Sequence, residues 1–175
     1  MGEPVTWLLS SSSDPRALAV VDGLGRFRRF GAHYSRRTPG SRTFTGVGQE
    51  IVLVTDNGRT VWAVIRQKTP ARIGTGTSRG RLGESDGAVC YVWRNMMFRN
   101  LYGGVASDLI REAVARTYAE WACRYGDVPT EPLRTEVDVA RVRSGEPGRC
   151  YRLAGWTDGP LRRGKLILYA PTISG

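Results

Sequence analysis

The 175-residue chain has one histidine, His33, set in Gly31-Ala32-His33-Tyr34-Ser35-Arg36-Arg37. An imidazole beside a phenol, a hydroxyl and two guanidiniums can take or pass a proton while the arginines hold an anion. Two downstream segments carry complementary groups. Thr135-Glu136-Val137-Asp138 offers carboxylates, and Cys150-Tyr151-Arg152-Leu153-Ala154-Gly155-Trp156 offers a second phenol. If the fold gathers them, His33, Tyr34, Asp138 and Tyr151 surround one pocket as the catalytic set. His33 could then act as general base, oriented by Asp138, with Tyr151 as acid. A satisfied loop histidine is the plain alternative.

Three elements must position those groups. Ala88–Phe98 reads as a buried strand, Arg99–Ala106 as a glycine-containing loop, and Leu109–Tyr125 as a helix capped by Ser107-Asp108 and ended by Gly126. Ile110, Ala113, Val114, Tyr118, Trp121 and Tyr125 recur at helical spacing and predict its core face. Free amides and the dipole at a helix N-terminus bind phosphate. Gly103 and Gly104 allow close approach, Ser107 can donate, and Arg94 and Arg99 can neutralise a pyrophosphate, which makes these five the candidate cofactor-binding residues. The loop has neither the Gly-Lys-Ser/Thr of a Walker A nor GxGxxG, and a simple turn into a helix is the other reading.

The remaining segments frame this unit. Val5–Ser10 predicts a strand, Asp14-Pro15 starts a helix through Val21, and Arg26–Gly48 is a long loop carrying His33. Gln49–Thr55 and Thr60–Gln67 are β-branched runs joined by Asp56-Asn57-Gly58-Arg59, a strong hairpin signal. Gly74–Gly87 lacks apolar periodicity and reads as a DNA-contacting flap or a plain hairpin tip. Leu133–Val137 is a strand ending at Asp138, Gly148–Trp156 a short helix and Lys165–Ala170 a last strand. Strand–helix–strand order requires a parallel crossover in a mixed sheet.

The length suits one domain, residues 1–175, with a core of its own. Residues 24–81 hold twelve Lys and Arg against Glu50 and Asp56, which accounts for the whole net charge of +10. The bias toward arginine favours bidentate phosphate contact, so a nucleic-acid partner is expected over simple solubility. Arg36, Arg37, Arg42, Arg79 and Arg81 are the candidate nucleic-acid-binding residues in this basic, loop-rich first half. Cys90, Cys123 and Cys150 form no CxxC pair and are expected to be buried small hydrophobes. No apolar run reaches membrane-spanning length and the start lacks a secretory pattern, so a cytoplasmic protein with no membrane partner is expected.

In combination, four motifs carry a resemblance. Gly31-Ala32-His33-Tyr34-Ser35, then Phe98-Arg99-Asn100 before the Leu109-Ile110-Arg111-Glu112-Ala113 helix, then Val137-Asp138, then Gly-x-x-Tyr-Arg-x-Ala-Gly-Trp at 148–156 resemble the Mom family of phage DNA-modification proteins over roughly residues 30 to 157. The strand–loop–helix alone looks like the degenerate pyrophosphate segment of the GNAT acyltransferase fold. The resemblance implies an α/β (α+β) fold with a GNAT-like mixed central sheet flanked by helices. It implies a donor lying in the splay between the next two strands after that loop, a coenzyme A thioester or another acyl donor. Mom-like proteins place a carbamoylmethyl group on adenine N6 in double-stranded phage DNA, which blocks host restriction, and so act in the cytoplasm of the infected cell.

On matching positions the resemblance makes His33, Tyr34, Asp138 and Tyr151 the essential cluster, linked in that family to Fe(II), and sets Arg94 and Ser107 near the donor. Imidazole, carboxylate and phenolic oxygens suit non-haem iron better than zinc. Adenine N6 is a poor nucleophile because its lone pair is delocalised, so a catalyst must take its proton or polarise its partner. A paired N6 also demands base flipping onto an aromatic wall, for which Tyr34, Trp93, Tyr102 and Trp156 are candidates, Trp156 equally as core. A bare acetyl transfer does not give a methylene-linked product, so the donor is unusual or a second step follows. A non-catalytic nucleic-acid-binding protein on the same scaffold, and an N-acetyltransferase for a small amine, tRNA or protein, are the competing functions. A homodimer stays open as the assembly.

Overall fold

The computed structural model describes residues 5–23, 42–70, 89–142 and 145–172. Along the chain these form β1 (Trp7–Ser10), α1 (Pro15–Val21), β2 (Gln49–Thr55), β3 (Thr60–Pro70), β4 (Val89–Asn100), α2 (Ala106–Tyr125), β5 (Arg134–Asp138), α3 (Arg149–Leu153), β6 (Thr157–Arg162) and β7 (Lys165–Tyr169). The seven strands make one mixed sheet in the order β1-β2-β3-β4-β5-β7-β6. Every neighbouring pair is antiparallel except β4–β5, which is parallel. The fold is thus of the expected α/β (α+β) class, a mixed sheet flanked by three helices, and β4–α2–β5 is the expected crossover.

Local chemistry explains the elements. Ile51–Val54 and Val61–Ile65 are buried on both faces, so β2 and β3 read as continuous apolar runs. Their hairpin turns at Asn57-Gly58, where Gly58 has φ +64°. In α1 the Asp14 carboxylate accepts from the Arg16 amide at 2.8 Å and Pro15 opens the first turn. Ala17, Val20 and Val21 pack that helix on Val52, Ala63 and Met97 on one face of the sheet. The other face holds the larger core, in which α2 lays Ile110, Ala113, Val114 and Trp121 on Trp62, Val64 and Trp93. Trp62 donates its indole N–H to Thr117 Oγ1 at 2.9 Å. Among the described residues no helix is long and apolar enough to cross a membrane.

Four expectations are corrected. Helix α2 starts at Ala106 with Val105 as its cap residue; Ser107 lies in the first turn, buried, and Asp108 pairs with Arg111. The short helix covers only Arg149–Leu153, and Thr157–Arg162 forms an unforeseen edge strand whose Gly159-Pro160 hid it. The cysteines are not core: Cys90 and Cys123 are exposed and Cys150 is half-buried, its thiol pushed up by burial. Cys123 follows Trp121 by two residues, a turn of about 200° that carries it to the polar face. Trp93 is 1% exposed and edge-on to Trp121 at 5.2 Å, and Trp156 is also core, so neither offers a stacking wall.

Candidate functional site

Strands β4 and β5 pair over only two rungs, Arg94 with Arg134 and Asn95 with Thr135. From Met96 onward β4 has no strand on its β5 side, so the sheet opens in its middle and leaves that edge of β4 without a strand partner. At the same place the β3 register slips: Ala63 faces Met97, Val64 faces Asn95, and Met96 is the extra residue of a β-bulge. The wedge between the parted strands is a cavity of about 410 Å³. Asn95 to Phe98 form one wall, Thr135 to Val137 the other, Val105 to Ser107 at the start of α2 one end, and Tyr151 of α3 part of the lining.

A buried polar group sets the floor of this wedge. Asn95 is 3% exposed, and its Nδ2 donates to the carbonyls of Ala63 and Met97, both at 2.9 Å. Both amide hydrogens are therefore spent on carbonyls, which fixes the orientation of the amide and makes Oδ1 the acceptor. Tyr151 donates its hydroxyl hydrogen to that oxygen at 2.7 Å, and Thr135 Oγ1 approaches Oδ1 at 3.4 Å and the Asn95 carbonyl at 3.2 Å. The hydrogen of Tyr151 is thus donated within the protein, to Asn95. Tyr151 is held edge-on between Trp156 at 5.0 Å and Phe98 at 6.2 Å. Its helix begins at Gly148, whose φ of +81° and approach to Leu168 (2.9 Å from an added Cβ) leave no room for a side chain.

Asp138 ends β5 on the other face. Thr135 and Val137 are buried toward α2, so strand alternation turns Glu136 and Asp138 away from it. Asp138 Oδ1 accepts from the Ala140 amide at 3.2 Å and Oδ2 pairs with Arg141 at 3.4 Å. With Arg94, Arg141 and Lys165 it lines a second cavity of about 330 Å³, which shares Asn95, Met96 and Glu136 with the first. The bulge therefore joins two compartments, an apolar wedge with Tyr151 and Ser107 and a charged one with Asp138 and Arg94.

The other anticipated residues divide clearly. His33, Tyr34, Arg36, Arg37, Arg79 and Arg81 lie outside the described residues, and Arg42 is exposed. Arg94 is half-buried and donates to Gln67 Oε1 at 3.0 Å. Arg99 leaves the donor site: it points to the α1 side and donates to the Val21 carbonyl at 3.1 Å, with burial pushing its guanidinium below the ordinary value against the pull of Asp22. Gly103, at φ +85°, and Gly104 shape the entry to α2 without lining the wedge. Among the described residues no group of three or more His, Cys, Asp and Glu could hold a metal, and Asp138 and Tyr151 alone do not make an iron centre. Asn95, Thr135 and the Met96 bulge were missed; a lone amide in the apolar run Val92-Trp93-Arg94-Asn95-Met96-Met97-Phe98 was the available signal.

No protein-family model matches the chain. No curated protein matches it. A solved structure described as a bacterial toxin aligns with 95% of this chain and 91% of that one, at 12% identity and a TM-score of 0.49, too slight a likeness to bear on function.

Proposed function

We propose that the protein is a Mom-like transferase of GNAT type that modifies adenine N6 in double-stranded DNA with a carbamoylmethyl-type group, protecting that DNA from restriction in an infected host cell. The observation that carries this reading is the open edge of β4, where the bulge, the start of α2 and the wedge cavity coincide. An extended donor bearing amides can add to such an edge as a strand would, with its phosphates toward the free amides of α2. A coenzyme A thioester belongs to this class of donor.

The acceptor chemistry follows from the two compartments. An exocyclic amine must lose a proton as it gains a carbon substituent, so it needs oxygen or nitrogen acceptors. The Tyr151 phenol borders the wedge with its own hydrogen held by Asn95. The Asp138 carboxylate stands in the adjoining compartment beside Arg94. By the resemblance His33 and Tyr34 would join Asp138 or Tyr151 as donors for Fe(II), which would supply Lewis-acid polarisation when bound.

Nucleoside mass spectrometry of DNA from cells expressing the protein tests the proposal. A modified adenosine that disappears in His33→Ala and Asp138→Ala variants is the expected result. Unmodified nucleosides from a soluble, folded preparation refute it. Acetyl-coenzyme A binding without DNA affinity would then point to an amine acetyltransferase.

A further inference from the structure

Strand alternation collects cations on the side of the sheet away from α2. Arg94 of β4 stands beside Arg134 of β5 as a register pair, and Arg162 of β6 stands directly opposite Lys165 of β7. Like charges in adjacent register positions destabilise a sheet. Glu136 offsets them only in part, since one carboxylate is shared by Arg134 and Lys165 at 3.4 Å each. Arg134, Arg162, Arg163 and Lys165 line a cleft of about 670 Å³ in which Arg134 Nε is buried without a hydrogen-bond partner. Helix α1 packs on β2 and β3, so among the described residues no helix covers this half of the face.

The hairpin tip breaks a second local rule. Arg163 and Gly164 are the two central residues of the β6–β7 turn, at φ +52° and +75°. Both positions require positive φ, and the first is ordinarily Asn, Asp or Gly. Arg163 is the one non-glycine residue with positive φ among the described residues. A strained backbone that holds a guanidinium at an exposed tip, next to a like-charged pair and an orphaned guanidinium N–H, indicates selection for an anion there instead of stability.

We propose that β4, β5, β7 and β6 form a track for the phosphate backbone of duplex DNA, gripped by Arg94, Arg134, Arg162, Arg163 and Lys165. This deepens the transferase reading and rests on it for the identity of the polyanion. Arg94 and Arg162 lie three strand spacings apart across the sheet, about 14 Å, and four register positions apart along it, about 13 Å, so the cations run diagonally over about 19 Å, enough to span a major groove about 12 Å wide. Adenine N6 opens into that groove. The Asp138 compartment adjoins the cleft through Glu136 and Lys165, which line both.

Fluorescence anisotropy with a labelled DNA duplex over a salt series provides the test. Each phosphate contact contributes a slope of about 0.9 in log affinity against log salt. Arg162→Gln/Arg163→Gln should lower the slope by about 2 and the affinity at 0.15 M salt by about 30-fold. Arg116→Gln/Arg124→Gln, equal in charge but on α2, should change the slope by less than about 0.5. Arg163→Asn, which suits the turn, should raise Tm while weakening DNA binding; a purely structural arginine gives no loss of binding. Equal slopes for the two double variants overturn the track, as does tighter binding to an RNA duplex of the same sequence. Modified adenosine made by a protein with equal slopes leaves the transferase standing without the track. Normal nucleosides with a tip-dependent slope leave the track standing without the transferase.

Discussion

Replacing Asn95 by Leu removes a hub and leaves the shape of the site nearly unchanged. Three close hydrogen bonds go: two from Nδ2 to the carbonyls of Ala63 and Met97, and one received from Tyr151. At about 1 kcal/mol for each bond, Asn95→Leu should cost about 3 kcal/mol of folding stability. Tyr151→Phe alone removes one of the three and should cost about 1 kcal/mol. The informative quantity is the coupling between them. In the Asn95→Leu background the phenol has already lost the oxygen that takes its hydrogen, so adding Tyr151→Phe should cost about 1 kcal/mol less than it does in the wild type. The expected interaction energy is about 1 kcal/mol, above the few tenths typical of independent sites. Urea unfolding of the four proteins, with ΔG extrapolated linearly at constant slope, measures it. Equal costs for Tyr151→Phe in both backgrounds would refute the Asn95–Tyr151 hydrogen bond as a contributor to stability.

Two further outcomes follow from backbone and charge. Gly148→Ala forces a Cβ into the left-handed region and against Leu168, and should cost at least about 1–2 kcal/mol in the same unfolding assay, with Tyr151 displaced; a cost below a few tenths would mean that α3 does not depend on this glycine. The Arg16 side chain, helped by Ser10 and the Arg16 amide and opposed by burial, holds the Asp14 carboxyl at about 2, below its ordinary value of 3.8. A depressed carboxylate stabilises the fold above its unfolded pKa and loses that contribution as pH falls toward the folded one. The Tm gap between the wild type and Asp14→Asn should therefore be present at pH 6, narrow as pH falls to about 2 and close below it, and a constant gap would contradict the assignment.

What could be read in the sequence is what local chemistry determines. Asn57-Gly58 between β-branched runs specified a hairpin, and the stripe from Ile110 to Trp121 specified the core face of α2, because turn geometry and helical period act over a few residues. Edge strand β6 escaped because exposure on both faces erased its alternation and Gly159-Pro160 imitated a loop. The wedge escaped for a different reason. It exists because β5 leaves β4 after two rungs and because Met96 has no partner in β3, and register across strands leaves no mark in either strand alone.

Charge shows the same limit from the opposite direction. The excess of arginine between residues 24 and 81 is conspicuous because it is contiguous in sequence. Arg94, Arg134, Arg162 and Lys165 stand on four strands and Arg163 in the turn between two of them, so in the sequence they fall in three separate places. Sheet order β4-β5-β7-β6 and the alternation of side chains bring the cations to one face, while the neighbouring Asp158 pairs with Arg152 at 2.8 Å. A field strong enough to steer a polyanion depends on this spatial summation, since a charge farther off than a Debye length of about 8 Å adds little at physiological salt. The proposed DNA track is accordingly a property of topology, and a substitution that preserved every charge but shifted β7 by one residue would disperse it.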